Sequence, residues 1–466
     1  MPNQVRSVWT PATWRKNPTK QIPIYADESA LDTVERRLAS TAPLVTPGEI
    51  RRLREHLAGA ARGEAFVIQG GDCAETFEAT SSEVLQGTVR TLQQMAFLIS
   101  MATCQHVVTI GRIAGQFAKP RSSSTETRMG RSLPSYQGDI INGREFTEQN
   151  READPERMLQ AYRHAAATLG FARTIAGDWS GGMDRQLQQV RSACSHLLAL
   201  RHVQQALHRV RVTIALLEHV SRLQKPAASA DLYTSHEALL LPYEQQLTRQ
   251  DPEDGRWYNC SAHTVWVGDR TRQIDGGHVE YVRGIENHIG VKCGPTMSPD
   301  ELCRLLDVIN PENAAGKVSL IVRVGADRIE SALQDLVKSV ARRGHQVIWM
   351  TDPMHGNTRQ IEGVKTRVFD DITREASAFI KILRSEGVHV GGLHLELTGD
   401  DVTECVGGTQ GVPIDALRVR YTSACDPRLN ARQALEFAFR IAHELMRHDW
   451  PGTHLNETTP ALIPAE

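Results

Sequence analysis

Short apolar runs rich in β-branched residues recur along the chain. Each closes on polar or glycine-bearing residues, and most are followed by the 3.6-residue periodicity of an amphipathic helix. Eight runs read as strands: residues 65–68, 106–110, 231–234, 258–267, 289–292, 318–324, 346–350 and 391–397. Strands alternating with helices argue for parallel pairing, because a parallel connection needs a crossover long enough to hold a helix. Eight such units predict an α/β chain closed into a (β/α)8 barrel, without tandem sequence repeats.

The pattern is interrupted at three places. The first sixty residues carry Pro11, Pro18, Pro23, Pro43 and Pro47, with helical stretches at 31–39 and 47–61. Thr46, Pro47 and Glu49 form a helix start with proline at the first helical position. Helical patterns at 157–169 and 186–223 dominate the segment between the second and third strands, so a helical insertion at about 144–230 is expected there. From residue 449 the chain is rich in Pro and Thr and reads as a flexible tail. The resulting division is an N-terminal extension (1–62), a catalytic barrel (63–448) containing the insertion, and a tail (449–466).

Composition narrows the classes. The 466 residues are 40% apolar and 23% charged with a formal net charge of −2, giving no support to a polyanion-binding surface, so no nucleic-acid partner is expected. The N-terminus is polar and no run is long enough to cross a bilayer, so neither a signal peptide nor membrane insertion is expected. Eight cysteines stand without a CxxC pair and read as reduced thiols, mostly core filler, of a cytoplasmic protein.

The chemistry gathers at the strand ends. Successive runs lead into Gln69-Gly70-Gly71-Asp72-Cys73-Ala74-Glu75, then Gly111-Arg112 with Lys119-Pro120-Arg121-Ser122, then Ser235-His236-Glu237, Gly268-Asp269-Arg270, Lys292-Cys293-Gly294, Arg323, Asp352-Pro353-Met354-His355, and His394 with Glu396. In an αβ barrel such residues face one mouth. Taken singly, each cation is more simply a solvated surface charge. Arg112, Lys119, Arg121, Arg270, Lys292 and Arg323 together, in a near-neutral chain, predict an anionic substrate, since clustered cations repel unless an anion sits among them. Cys73, His355, Glu396 and Asp426 each read singly as core filler or a solvated group. As a set their S/N/O/O donors suit a first-row divalent ion such as Mn, Fe, Co or Zn, although their spacing does not by itself define a coordination geometry. Gly-x-Ser-x-Gly, Walker A and Gly-x-Gly-x-x-Gly motifs are absent.

These residues lie in blocks that resemble the class II 3-deoxy-D-arabino-heptulosonate 7-phosphate (DAHP) synthases. The likeness runs from Trp9-Thr10-Pro11 and Trp14-Arg15 through residues 69–75, 111–122, 261–276, 352–358 and 391–408 to Ala424-Cys425-Asp426-Pro427-Arg428-Leu429-Asn430. It implies metal ligation by Cys73, His355, Glu396 and Asp426, phosphoenolpyruvate binding by Arg112, Arg270, Lys292 and Arg323, and a sugar-phosphate loop Lys119-Pro120-Arg121-Ser122. Asp269 joins the substrate-binding set. The implied reaction is condensation of phosphoenolpyruvate with erythrose 4-phosphate and water, at the head of the shikimate pathway. The cofactor would be a divalent ion, Mn2+ first and Co2+, Fe2+ or Zn2+ behind it. Arg112, Lys292 and His355 form the catalytic set, and the proton carrier stays open between a bound water, Lys292 and His355. The family pattern also implies a homo-oligomer, dimer or tetramer, with aromatic amino acid effectors.

Three positions depart from the family: Asp269 replaces Glu, Gln137 replaces Arg, and Gly277 replaces Ala. The Asp269 and Gln137 changes motivate an alternative, a specialised-metabolism paralogue acting on an amino-sugar analogue. A metal-dependent aldolase and a non-catalytic regulatory homologue are the more distant readings. The intact metal and phosphate groups argue against the last.

Overall fold

The computed structural model describes residues 9–78, 81–178, 183–221, 232–409 and 411–446. The strands are β1 (Ala65–Gly71), β2 (His106–Arg112), β3 (Leu232–Glu237), β4 (Thr264–Val267), β5 (His288–Cys293), β6 (Val318–Val322), β7 (Ile348–Thr351) and β8 (Gly392–Glu396). They pair in parallel in sequence order, and β1 also pairs with β8, with Gln69 opposite His394 and Gly71 opposite Glu396, closing the barrel. The (β/α)8 expectation is met. Parallel pairing puts every strand's C-terminal end at one rim, which fixes where the site lies.

Alternation along the strands builds two cores. Phe66, Ile68, Leu393, Leu395, Val291, Leu320 and Val322 point outward into the layer under the helices. Val67, Val108, Ile110, Tyr233, Trp266, Ile321, Ile348 and Met350 point inward. The helix Pro47–Ala61, matching the sequence-derived span, closes the N-terminal end by inserting Leu53, Leu57 and Ala60 into that inner set. Its start, expected at Thr46, Pro47 and Glu49, carries a capping box between Thr46 and Glu49.

The fourth run differs from expectation. Residues 258–267 break into a short strand Trp257–Asn259, antiparallel to Thr248–Gln250, and the barrel strand β4. The break falls where Asn259, Ser261 and His263 bond elsewhere: Asn259 and Ser261 donate to Glu244, and Thr234 N donates to His263 Nδ1. The sixth strand ends at Val322, so Arg323 stands just past it.

Within residues 144–230, the helix Glu156–Asp178 lies against β3 and the helix Ser82–Thr103, as a crossover helix of the barrel does. The helices Met183–Ala193 and Arg201–Ser221 lie outside it, where Leu187, Val190, Val203, Ala206 and Val210 join the outer core. The helical pattern at 186–223 is therefore interrupted around Ser195–Leu197; the turn lets both amphipathic faces reach the Ser82–Thr103 helix. Asp231 and the tail from 449 lie outside the described residues. All eight cysteines are free thiols, and all but Cys104 are buried. No helix among the described residues is long and apolar enough to cross a membrane.

Candidate active site

The last inward positions of the strands carry charge instead of methyl groups. On β8, His394 and Glu396 take the inward face and are fully buried. On β2 the inward series Val108, Ile110 ends in Arg112, about 1% exposed. Gly71 ends β1 at φ +145°, where a Cβ would stand 2.7 Å from the Arg112 carbonyl oxygen; only glycine lets these paired strand ends approach so closely. Arg112 donates from Nε to Asp72 O (3.0 Å) and from Nη2 to Glu396 Oε1 (3.1 Å), with its Nη1 against His394 Nε2 and its plane over Trp266.

Glu396 is the hub. Besides Arg112, it meets Lys119 Nζ at 3.2 Å and His355 Nε2 at 3.0 Å through Oε1, and Arg367 Nη1 lies 2.8 Å from its Oε2. Burial opposes the Glu396 charge, yet His355, Lys119 and Arg367 hold its carboxyl well below the usual carboxylate range. The Arg367 contact lies off hydrogen-bond geometry, leaving Glu396 Oε2 without a hydrogen-bond partner.

Cys73, Glu396 and Asp426 each place one donor atom within 4.8 Å of the others, close enough to share one ion. His355 joins at its edge through Glu396. Two features of the chain test whether this set fits a cation. The Lys119 ammonium sits 3.1 Å from Cys73 Sγ, 3.2 Å from Glu396 Oε1 and 2.8 Å from Asp426 Oδ2, so positive charge already occupies the space the donors share. His355 Nδ1 lies 2.6 Å from Asp352 Oδ2. If Nδ1–H donates there, Nε2 and Glu396 Oε1 are two lone-pair atoms 3.0 Å apart, an arrangement that needs a proton or a metal between them. The donors fit a divalent ion. Burial, Cys425 and Glu396 together raise the Cys73 pKa, so its thiolate requires such a cation nearby.

Above this centre opens a cleft of about 460 Å³ lined by seven cationic and four acidic side chains. All six cations expected from the sequence line it, as do Ser122, Asp269, His355 and Asp426, whereas Cys73 and Glu396 lie beneath. The cations are not bare, contrary to the expected mutual repulsion. Arg121 meets Glu126 at 3.1 Å, Arg323 meets Asp269 at 3.3 Å, and Lys292 donates to Asp352 at 2.5 Å. Burial pulls Lys292 down to about 8 although Asp352 acts the other way. Arg270 donates to Ser122 Oγ at 2.8 Å, linking the fourth strand end to the Lys-Pro-Arg-Ser loop. The shorter Asp269 side chain forms no ion pair with Arg270; it accepts from Arg272 Nε and Gly294 N and faces Arg323. Within the loop, Lys119 turns inward to the metal-type donors while Arg121 and Ser122 stay on the cleft.

Lys365, Arg367 and Gln21 escaped the sequence reading, which places Glu237 at a strand end without a role. Lys365, 3.2 Å from Asp426, and Arg367 come from a hairpin (Arg359–Ile361 with Val364–Thr366) too short to show a strand signal. Glu237 lines the cleft with a buried, unpartnered Oε1, and burial raises its pKa against the pull of Lys119 and Lys292. Alternation does point to Glu237, since Ser235 shares its inward face. Gln21, from the N-terminal extension, brackets Arg121, accepting from its N at 2.8 Å and donating to its O at 3.1 Å. Sequence distance hid that contact.

Fold and site define a barrel protein with a cation-lined mouth beside a set of metal-type donors. Comparison with known proteins agrees: the model of the Class-II DAHP synthetase family matches residues 9–442, and the chain belongs to that family. It is 44% identical over 457 residues to a phospho-2-dehydro-3-deoxyheptonate aldolase of Neurospora crassa, covering 93% of this chain and 94% of the relative. It is 43% identical over 435 residues to the Streptomyces coelicolor protein of that name, covering 92% and 96%. Among solved structures, the phospho-2-dehydro-3-deoxyheptonate aldolase of Francisella tularensis SCHU S4 superposes with a TM-score of 0.47 at 13% identity, covering 92% of this chain and 98% of that one.

Proposed function

We propose that the chain is a 3-deoxy-7-phosphoheptulonate synthase: it joins C3 of phosphoenolpyruvate to the aldehyde carbon of erythrose 4-phosphate, takes up water at C2 and releases phosphate. The observation that carries this is the pairing of a cation-lined cleft with the Cys73, Glu396 and Asp426 donors directly beneath it. One reactant is anionic at both carboxylate and phosphate and the other at phosphate, which suits a cleft with more cations than acids.

Arg112, Arg270, Lys292 and Arg323 hold phosphoenolpyruvate, and Arg121 with Ser122 holds the sugar phosphate, so the two carbons meet in a fixed register. Cys73, His355, Glu396 and Asp426 would hold a divalent ion, Mn2+ by preference, which when bound would supply Lewis acidity for the aldehyde. Lys292, whose proton is loosened by burial, His355, which faces Asp352, and a bound water are the candidates for carrying a proton. The extension 1–62 and the insertion at about 144–230 serve assembly into a dimer or tetramer and inhibition by aromatic amino acids.

The test is a product-identified assay of the Mn2+-loaded protein with phosphoenolpyruvate and erythrose 4-phosphate, run beside the 4-amino sugar analogue. Loss of phosphoenolpyruvate with erythrose 4-phosphate, abolished by a chelator and restored by Mn2+, is expected. No loss rejects the reading, and turnover of only the amino analogue moves it to the specialised paralogue.

A further inference from the structure

Glu375 lies on the helix Phe369–Ser385, outside the barrel, yet its side chain is fully buried. It touches nothing in the cleft. Its Oε1 accepts from Val324 N at 3.2 Å and Gly325 N at 3.0 Å, and its Oε2 accepts from Asn357 Nδ2 at 2.6 Å. Val324 and Gly325 directly follow Arg323. Asn357 lies in the turn His355–Asn357, and its Oδ1 accepts from Ala326 N at 3.0 Å while its Nδ2 also reaches Pro353 O.

The loops after β6 and β7 therefore meet on one carboxylate and one amide. Where they cross there is no room for a side chain. A Cβ on Gly356 would stand 2.2 Å from Gly325 N, and one on Gly325, at φ +93°, 2.8 Å from Gly356 O. The register between these loops thus rests on backbone contact and on the Glu375–Asn357 pair. Burying a carboxylate so deeply is unfavourable unless its acceptors are used, and here both oxygens are.

Resting on the reading that Arg323 binds phosphoenolpyruvate and His355 the divalent ion, we propose that Glu375 is a positioning residue that locks these two loops together, so one carboxylate outside the cleft sets the anion-binding guanidinium and the metal-binding imidazole in common register. The consequence is specific. Disturbing Glu375 loosens both ligands at once, whereas a lesion confined to one loop loosens one.

The test uses the full chain and equilibrium binding of Mn2+ and of phosphoenolpyruvate, read by calorimetry. Glu375→Gln keeps an acceptor for the backbone N–H groups but turns an amide donor toward the Asn357 donor. Asn357→Asp sets carboxylate against carboxylate. In each, both dissociation constants rise about tenfold, the scale of one lost charge-assisted hydrogen bond. The double variant restores the donor–acceptor pair with reversed polarity but leaves Pro353 O facing a carboxylate oxygen, so it recovers part of the loss in both constants together, the coupling expected of residues in contact. Arg323→Ala raises only the phosphoenolpyruvate constant. A purely structural Glu375 would lower the melting temperature and leave both constants unchanged, overturning the proposal, as would a rise in one constant alone or no recovery in the double variant. Should Glu375→Gln fail to fold, Asn357→Ser carries the same expectation. A wild type that binds both ligands but turns over neither sugar sinks the proposed reaction while the binding cycle still judges the lock.

Discussion

At the floor of the barrel, Val67, Val108, Ile110, Ile348 and Met350 meet Leu53, Leu57 and Ala60 of the Pro47–Ala61 helix. At the mouth, the same faces of β1, β2 and β8 present Gln69, Arg112, His394 and Glu396, all buried. The backbone is continuous between the two, so only side-chain chemistry distinguishes them. The floor gains from removing apolar area from water, about 25 cal/mol per Å². The mouth places ionised groups out of water, which is unfavourable unless every charge has a partner. The contrast teaches that stability and function are separable along single strands. Changes at the floor should move melting without kinetics, and changes at the mouth should do both.

The strongest way to break this contrast is Glu396→Gln. It removes the charge that Arg112, Lys119, His355 and Arg367 share. Divalent-ion binding should be lost, and kcat/KM should fall at least about a hundredfold, the upper range for groups merely behind a ligand. Leaving those cations unpaired also destabilises the fold by about 3 kcal/mol in denaturant titration. A variant that keeps activity within tenfold would show that Glu396 only balances charge.

The opposite case is Leu57→Ala, at 1% exposure in the floor cluster. Deleting a buried isobutyl group leaves a cavity and costs about 2–5 kcal/mol. kcat and both KM values should stay within twofold of wild type at a temperature where both proteins are folded. A matching kinetic loss would mean the floor transmits to the mouth.

How far these two ends were visible in sequence follows from their physics. Hydrophobic periodicity is local, so the eight barrel strands, the fourth only as part of an over-long run, and the Pro47–Ala61 helix were legible, and strand-end placement brought Cys73, Arg112, Lys292, Arg323 and Glu396 to one rim. What escaped depends on tertiary contact. Lys365 and Arg367 ride a three-residue hairpin strand and its exit, Gln21 reaches Arg121 across a hundred residues, and Glu375 looks like any polar helix position until its burial is seen. The pairing of cleft cations with Asp269, Asp352 and Glu126 was likewise invisible, because it depends on loop geometry and not on spacing.

A smaller effect sharpens the floor's character through pH. His288, at the N-terminal end of β5, is neutral in the fold: one ring nitrogen meets Gly316 O at 2.8 Å, the other Ser319 Oγ at 3.0 Å, and burial lowers its pKa from 6.5 to about 4. Between those values the unfolded chain binds the extra proton, so wild-type stability falls as pH falls, by about 1.4 kcal/mol per unit for this one group. Glu75 and Glu375, raised to about 7 chiefly by burial, titrate with the opposite sign over part of the same range. The readout is therefore the difference between wild type and His288→Gln, not the total slope. That difference should shift toward the variant from pH 6.5 to 4; a flat difference would show that His288 titrates normally.

The smallest effect lies at the start of the floor helix. Thr46 Oγ1 accepts from Glu49 N at 3.3 Å, and Thr46 N donates to Glu49 Oε2 at 2.8 Å. Glu49 is held near pKa 2, first by its His263 contact and further by the Thr46 N–H, with Arg173 at 2.6 Å on its other oxygen. A carboxyl lowered this far contributes fully above its ordinary value of 4.5 and loses that contribution as pH falls from there toward about 2, so the cap is constant from pH 8 down to about pH 5. Thr46→Ala should reduce stability by about 1 kcal/mol, equally at pH 5 and pH 8, and Thr46→Ser should recover most of it because the hydroxyl alone carries the cap. Since Leu53 and Leu57 anchor the same helix by burial, a loss well above that size, or one accompanied by a change in KM, would mean that the cap sets the angle at which the floor closes and so reaches the mouth.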